Sequence, residues 1–262
     1  MQCKSYQREQ DQQEWEQALD LWLETARGSV RTEWGGKAHR AYLERRFPEW
    51  NRDERLARID EYLSFYGEGD SRWWALGEKV EALYGSAQRG DSASLDMGIT
   101  IADEVIRGDA PDDIKREAIL KRGYLYLLKG DLPGTAAALG EFLSQYSDDS
   151  RRAPVLFDLG ESYLGAKEYG KASEAFDSCF ENGPSRELAV KCFLRMGDCR
   201  YYMRRFEDAA RLYNEFTVRY PKSELALEAS FREALARELQ GDGETADKLL
   251  TKLSTTEGLP QR

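Results

Sequence analysis

Four cysteines and one histidine are the residues of this sequence best suited to covalent or metal chemistry. Cys192 and Cys199 stand seven residues apart, close to two turns of one helix, and Cys179 falls on the helix before them. None belongs to a C-x-x-C pair, the spacing of zinc and dithiol redox sites, so these three read as small buried hydrophobes. A Cys179–Cys192 disulfide is the alternative, and it requires α-carbons within about 7 Å of each other. His39 has no second His or Cys near it in sequence and is flanked by Lys37 and Arg40. It is expected to be a solvated helix residue rather than a metal ligand or general base. The run from Gly35 to His39 lacks the preceding apolar strand, the first glycine and the hydroxyl after lysine that a phosphate loop needs. Asp112-Asp113 and Asp148-Asp149 lie beside expected helix starts, where carboxylates satisfy free N–H groups and favour the helix dipole. Arg195, Arg200, Arg204, Arg205 and Arg211 form a basic run that reads as a solvated face paired with Asp198, Glu207 and Asp208. No nucleophile stands beside a base, so no catalytic residue, metal or cofactor is assigned and a non-enzymatic protein is expected.

The elements that position these residues are helical by composition. The chain has 262 residues, 41% of them hydrophobic, with only seven prolines. Its 48 acidic against 38 basic side chains give a formal charge of -10, which argues against the basic stripes used to neutralise nucleic-acid phosphates. It is too apolar for a disordered tail. No apolar run approaches the ~20 residues of a spanning helix, and the polar start has no apolar signal core, so a soluble chain is expected.

A period of 37 residues organises the second half. Gly123, Gly160 and Gly197 are spaced by it, and Ala234 falls at the next step. Seven residues after each small residue come Gly130, Lys167, Arg204 and Gly241, which read as tight turns. A second amphipathic stretch follows each turn, so one unit is helix, turn, helix, loop. In the clearest unit Leu156, Leu159, Gly160 and Tyr163 occupy the first helix, Ala172, Phe176 and Cys179 the second, and Pro184 the exit loop. Gly160 and Ala172 allow close approach of the helices, while Tyr163 and Phe176 fill the space between them.

This spacing resembles the tetratricopeptide repeat. The resemblance implies an all-α fold, an α-solenoid of antiparallel helix pairs with four to five repeats and an N-terminal helical extension. The units are expected at 71–111, 113–149, 150–185, 186–222 and 223–258, the first being degenerate and the last a weak cap. Residues 1–70 form the extension. All six tryptophans, Trp15, Trp22, Trp34, Trp50, Trp73 and Trp74, lie before residue 75. Core packing is the expected role for them, with a recognition platform as the alternative. Three helices are expected there, Glu14 to Thr25, Ala38 to Arg46 and Asp53 to Tyr66, with a breaker from Gly28 to Gly36. Trp73 and Trp74, about 100° apart on a helix, cannot share one face, so one of them is expected to be exposed or at an interface.

In a tetratricopeptide array the first helices line a concave groove. Helical phase assigns to it Leu120, Tyr124, Leu127, Phe157, Glu161, Leu164, Lys191, Leu194, Asp198, Tyr201, Tyr202, Phe231 and Leu235. So apolar a surface implies a partner protein, docked as a peptide or helix. The alternatives are a lipid or small-molecule carrier, and a groove occupied by the chain's own N-terminal helices. The exit sequence VRYPKSELALEASF is similar to that of bacterial envelope repeat proteins, of the outer-membrane assembly lipoprotein and Tol-Pal coordinator type. That likeness implies a periplasmic location, possible lipid attachment at Cys3 ahead of a Gln-rich tether, and a scaffold role in envelope assembly or maintenance. Cytoplasmic scaffolds share such loops, and a cytoplasmic location is the alternative.

Overall fold

A computed structural model describes residues 32–255, together with 17, 18, 20, 21, 23, 24 and 28. Cys3, Trp15 and Trp22 lie outside the described residues, as does much of the expected helix from Glu14 to Thr25. Within Thr32–Thr255 the regular elements are helices: α1 (Glu33–Arg46), a 3-10 turn (Phe47–Glu49), α2 (Arg52–Tyr66), α3 (Gly69–Gln88), α4 (Ala93–Arg107), α5 (Asp112–Lys129), α6 (Leu132–Gln145), α7 (Arg152–Gly165), α8 (Tyr169–Glu181), α9 (Arg186–Tyr202), α10 (Phe206–Arg219), α11 (Ala226–Gln240) and α12 (Gly243–Ser254). The fold is all-α and of the α-solenoid class, built from antiparallel helix pairs. It divides into two compact units, Met1–Gly130 with α1–α5 and Asp131–Arg262 with α6–α12.

In the first unit α2 packs on α3, α3 on α4, and α5 on both α3 and α4. The capping box of Asn51 and Glu54 starts α2. Tyr42, Leu43, Phe47, Ile59, Tyr62 and Trp74 form one core cluster. Trp74 meets Tyr62 edge-on with ring centroids 5.1 Å apart and stacks on Phe47 at 6.3 Å. Trp73 instead packs against the cluster of Leu76, Val80, Ala102 and Val105. The two tryptophans therefore diverge as helical geometry demands, but neither is left open, because α3 is covered on both sides. Among the described residues the exposed tryptophan is Trp34, at 79%.

Two expectations for α1 are corrected. The breaker ends earlier than Gly36: Thr32 Oγ1 accepts the Gly35 N–H at 3.0 Å and the helix begins at Glu33. His39 is buried, 1% exposed, with Tyr62 and Tyr66 edge-on at 5.2 and 6.0 Å. Gly36, His39, Tyr42 and Leu43 lie three or four residues apart on one stripe, and α2 covers that stripe. The flanking charges Lys37 and Arg40 remain outside it, both exposed.

In the second unit α7 with α8, α9 with α10 and α11 with α12 form hairpins, and α6, α8 and α10 each pack on the helix that follows. The hairpin turns repeat in atomic detail. The N–H of Glu168 bonds to Tyr163 O, that of Arg205 to Arg200 O and that of Asp242 to Arg237 O, each at 2.9 Å. These are Schellman closures, which need a left-handed residue just before the closing N–H. Gly241 supplies it with φ 96°, but Lys167 and Arg204 adopt φ 62° with full side chains. A left-handed non-glycine residue costs about 1 kcal/mol. Lys167→Gly and Arg204→Gly are therefore expected to stabilise the protein by up to about 1 kcal/mol each, read as a rise in urea midpoint at unchanged slope.

The small residues do what their spacing predicts. A β-carbon on Gly160 would lie 2.6 Å from the Phe176 ring, and one on Gly197 would lie 2.6 Å from the Tyr213 ring. Phe176 and Tyr213 are 0% and 1% exposed. In these two hairpins the second helix thus inserts a ring directly against the backbone of its first helix.

Candidate partner-binding face

The first helices of the second unit carry an alternating run of charge. Arg195 on α9 reaches back to Glu161 on α7, with Nε to Oε1 at 2.7 Å and Nη2 to Oε2 at 3.2 Å. One period later Arg232 on α11 reaches back to Asp198 on α9, with Nη1 to Oδ1 at 2.5 Å. Both links span 34 residues, so the same two positions of the repeat are joined twice. Arg195 also donates to Asp198 Oδ2 at 3.1 Å, and the Tyr213 hydroxyl donates to Oδ1 at 2.7 Å. Arg232 completes the run with Glu228 at 2.5 Å. Asp198 is 5% exposed, and charge-assisted bonds from two guanidiniums and a phenol offset its desolvation. Burial, then the adjoining Asp198 charge, push the Tyr213 hydroxyl well above the usual phenol range. These residues therefore hold successive first helices in register.

The basic run is more structural than expected. Arg195 does pair with Asp198, and Arg211 with Asp208 at 2.8 Å. Arg200, however, crosses to Asp177 on α8 at 3.4 Å and is half-buried.

The structure sorts the thirteen groove candidates into three environments. Leu120, Leu194 and Asp198 are buried and belong to helix packing rather than to an open face. Leu194 belongs to the cluster that also holds Ala209, Ala210 and Phe216 of α10 and Ala229 and Ala236 of α11. Tyr124, Leu127, Phe157, Glu161, Leu164 and Tyr201 are half-buried. Of these, Tyr124 lies against Tyr84 at 6.1 Å, Phe157 against Phe176 at 5.5 Å and Tyr201 against Phe206 at 5.6 Å. Lys191, Tyr202, Phe231 and Leu235 are exposed. Leu120, Tyr124 and Leu127 stand in the first compact unit and the other ten in the second.

The exposed apolar residues concentrate toward the end of the array. Phe231, Leu235 and Leu239 follow one another at four-residue steps along α11 and are 47%, 38% and 53% exposed. They occupy the repeat positions of Leu194, Asp198 and Tyr202. In α9 the first two of those positions are buried, with Asp198 bonded to Arg232 of α11; in α11, followed among the described residues only by its hairpin partner α12, they are open. Tyr202 itself is 52% exposed and stacks on Tyr169 at 5.1 Å. Leu239 escaped the sequence reading, although the 37-residue step from Tyr202 points to it. Lys191 belongs elsewhere on α9, where it pairs with Glu187 at 2.6 Å and lines a depression of ≈ 790 Å³ with Val190, Arg219, Tyr220 and Lys222.

Among the described residues no group of three or more His, Cys, Asp or Glu side chains is placed to hold a metal ion. Among them, too, no helix is long and apolar enough to cross a membrane.

Residues 191–223 match the tetratricopeptide repeat family model. That stretch runs from within α9, through the Arg204 turn and α10, to just past Pro221. No curated protein matches the chain. Solved tetratricopeptide-like structures do. The crystal structure of MamA protein is 17% identical, covering 71% of this chain and 98% of that one, with a TM-score of 0.55. A second MamA structure, from MSR-1, is 19% identical over 71% and 96%, with a TM-score of 0.53. The nearly identical TPR-like repeats of a Podosopora anserina putative kinesin light chain are 11% identical over 68% and 94%, with a TM-score of 0.54. At such identities the likeness is one of fold, tetratricopeptide-type helix pairs stacked in chain order.

Proposed function

We propose that this protein is a non-enzymatic interaction scaffold that seats a helix of a partner protein on the first-helix face of its second unit. The observation that carries this reading is the open stripe of Phe231, Leu235 and Leu239 on α11. Large apolar side chains at steps of four present the ridge into which the apolar face of another helix packs. Two such anchors, buried on binding, contribute about 1.5 to 3 kcal/mol each before ordering costs.

The double variant Phe231→Asp with Leu235→Asp is expected to weaken partner capture at least about tenfold while leaving the thermal midpoint nearly unchanged. Capture is measured by crosslinking the purified protein in an extract of its native organism and identifying what is held by mass spectrometry. Val218→Asp, at a position 75% exposed on α10, serves as the control that leaves capture intact. Undiminished capture by the double variant rejects the face. A low-mass ligand retained in native mass spectrometry would support a carrier instead.

The place of action we propose is the bacterial envelope, with the chain held at the outer membrane through lipid on Cys3. The support is the envelope-type exit sequence around Pro221 and Cys3-Lys4-Ser5 ahead of a Gln-rich stretch. Labelling with a fatty-acid analogue in the native organism tests it, and a cytosolic, unlabelled product rejects it.

A further inference from the structure

We propose that Cys179 and Cys192 close a disulfide that ties α8 to α9 when the chain folds in the presence of a small disulfide oxidant such as glutathione disulfide. The two sulfurs face each other at 2.8 Å across the junction between two repeats, and both residues are 0% exposed. A closing movement of less than about 1 Å separates this from the bonded distance. The neighbouring pair, Phe180 and Phe193, meets edge-on at 5.7 Å with the same sequence separation. Those rings fix the register of α8 against α9 and hold the thiols opposed.

The other junctions show that the pairing is particular to this place. One period earlier the corresponding residues are Phe142 and Val155, and one period later Phe216 and Ala229, all buried. A ring set opposite a small aliphatic residue is the packing solution at both of those junctions. Here two cysteines replace it, one on each side of the same contact.

The Cys192 thiol donates its hydrogen bond to Cys179 Sγ. That bond lowers the Cys179 pKa and raises that of Cys192. During folding one of the two cysteines, as its thiolate, attacks the oxidant's disulfide, forming a mixed disulfide and expelling one thiolate. The sulfur of the other then attacks the protein sulfur of that mixed disulfide as the helices dock, and expels the second thiolate. The two cysteine protons end on the two departing thiols, so the protein is oxidised by two electrons and the oxidant reduced by two. Because the site is closed to solvent, the exchange belongs to folding, as α8 docks on α9. Cys199, whose thiol burial pushes up to about 12, stays reduced and serves as an internal reference.

The test refolds the full chain from urea with glutathione disulfide or with a reductant, followed by intact mass, alkylation after unfolding, and peptide mapping. After oxidative refolding the expected protein is two hydrogens lighter, two of its four cysteines alkylate, and the bridge maps to Cys179 and Cys192. Its thermal midpoint is expected to rise by about 5 °C over the reduced form. Cys192→Ala, which keeps a small apolar side chain at the junction, is expected to abolish both the mass change and the rise. Four alkylated cysteines after oxidative refolding would overturn the proposal, as would a bridge that joins Cys192 to Cys199 or uses Cys3.

Discussion

Asp198→Ala is expected to destabilise the second unit by about 3 kcal/mol, because it breaks a buried charge cluster on the first helices. The carboxylate accepts from Arg195, Arg232 and Tyr213 at once. Its removal leaves Arg195 with Glu161 and Arg232 with Glu228, while the Tyr213 hydroxyl, on a residue 1% exposed, loses its acceptor. The figure sits at the low end of the range for broken buried pairs because the two arginine side chains keep 33% and 26% of their exposure and water recovers part of their solvation. Asp198→Asn preserves an acceptor for the phenol and is expected to lose about half as much. Urea unfolding at neutral pH measures both. A loss below about 1 kcal/mol for the alanine variant would mean that the alternating charges contribute no more than surface pairs do.

Gly160→Val is expected to cost about 2 to 3 kcal/mol by overpacking. A single β-carbon already falls 2.6 Å from the Phe176 ring, and the branched side chain adds two more carbons in the same gap. Phe176 has no open side to move toward, since it is wholly buried and touches Phe157 at 5.5 Å. Combining the change with Phe176→Leu should recover part of the loss, because the smaller side chain vacates the space that the valine fills. Such non-additivity is the signature of a shared contact. Strictly additive losses in the double variant would show that Gly160 matters for some reason other than the approach of this ring.

The repeat was legible because its signals are local and periodic. Small residues at fixed spacing, the turn seven residues later and the closing proline each follow from chemistry within one unit, and the Schellman closures at Glu168, Arg205 and Asp242 realise them in three successive units. What the sequence hid is decided between units or outside the period. The burial of His39 depends on α2 folding across α1, a contact with no periodic signature. The groove candidates were assigned by helical phase alone, yet Leu194 and Phe231 share a phase and differ from 4% to 47% in exposure. Among the described residues a further first helix follows α9 and none follows α11. Asp198 looked like a groove carboxylate for the same reason, since its partner Arg232 is 34 residues away and no window on a single helix contains both.

Those backward links give the array a polarity. Arg195 and Arg232 each serve a carboxylate belonging to the unit before their own, so two successive units each complete their predecessor. Removing α11 and α12 would therefore undo more than the residues removed: Asp198 would lose one of its two arginines, and the cluster that contains Leu194 would lose Ala229 and Ala236. Among the described residues, α11 and α12 therefore matter to the first helix before them as well as to their own hairpin.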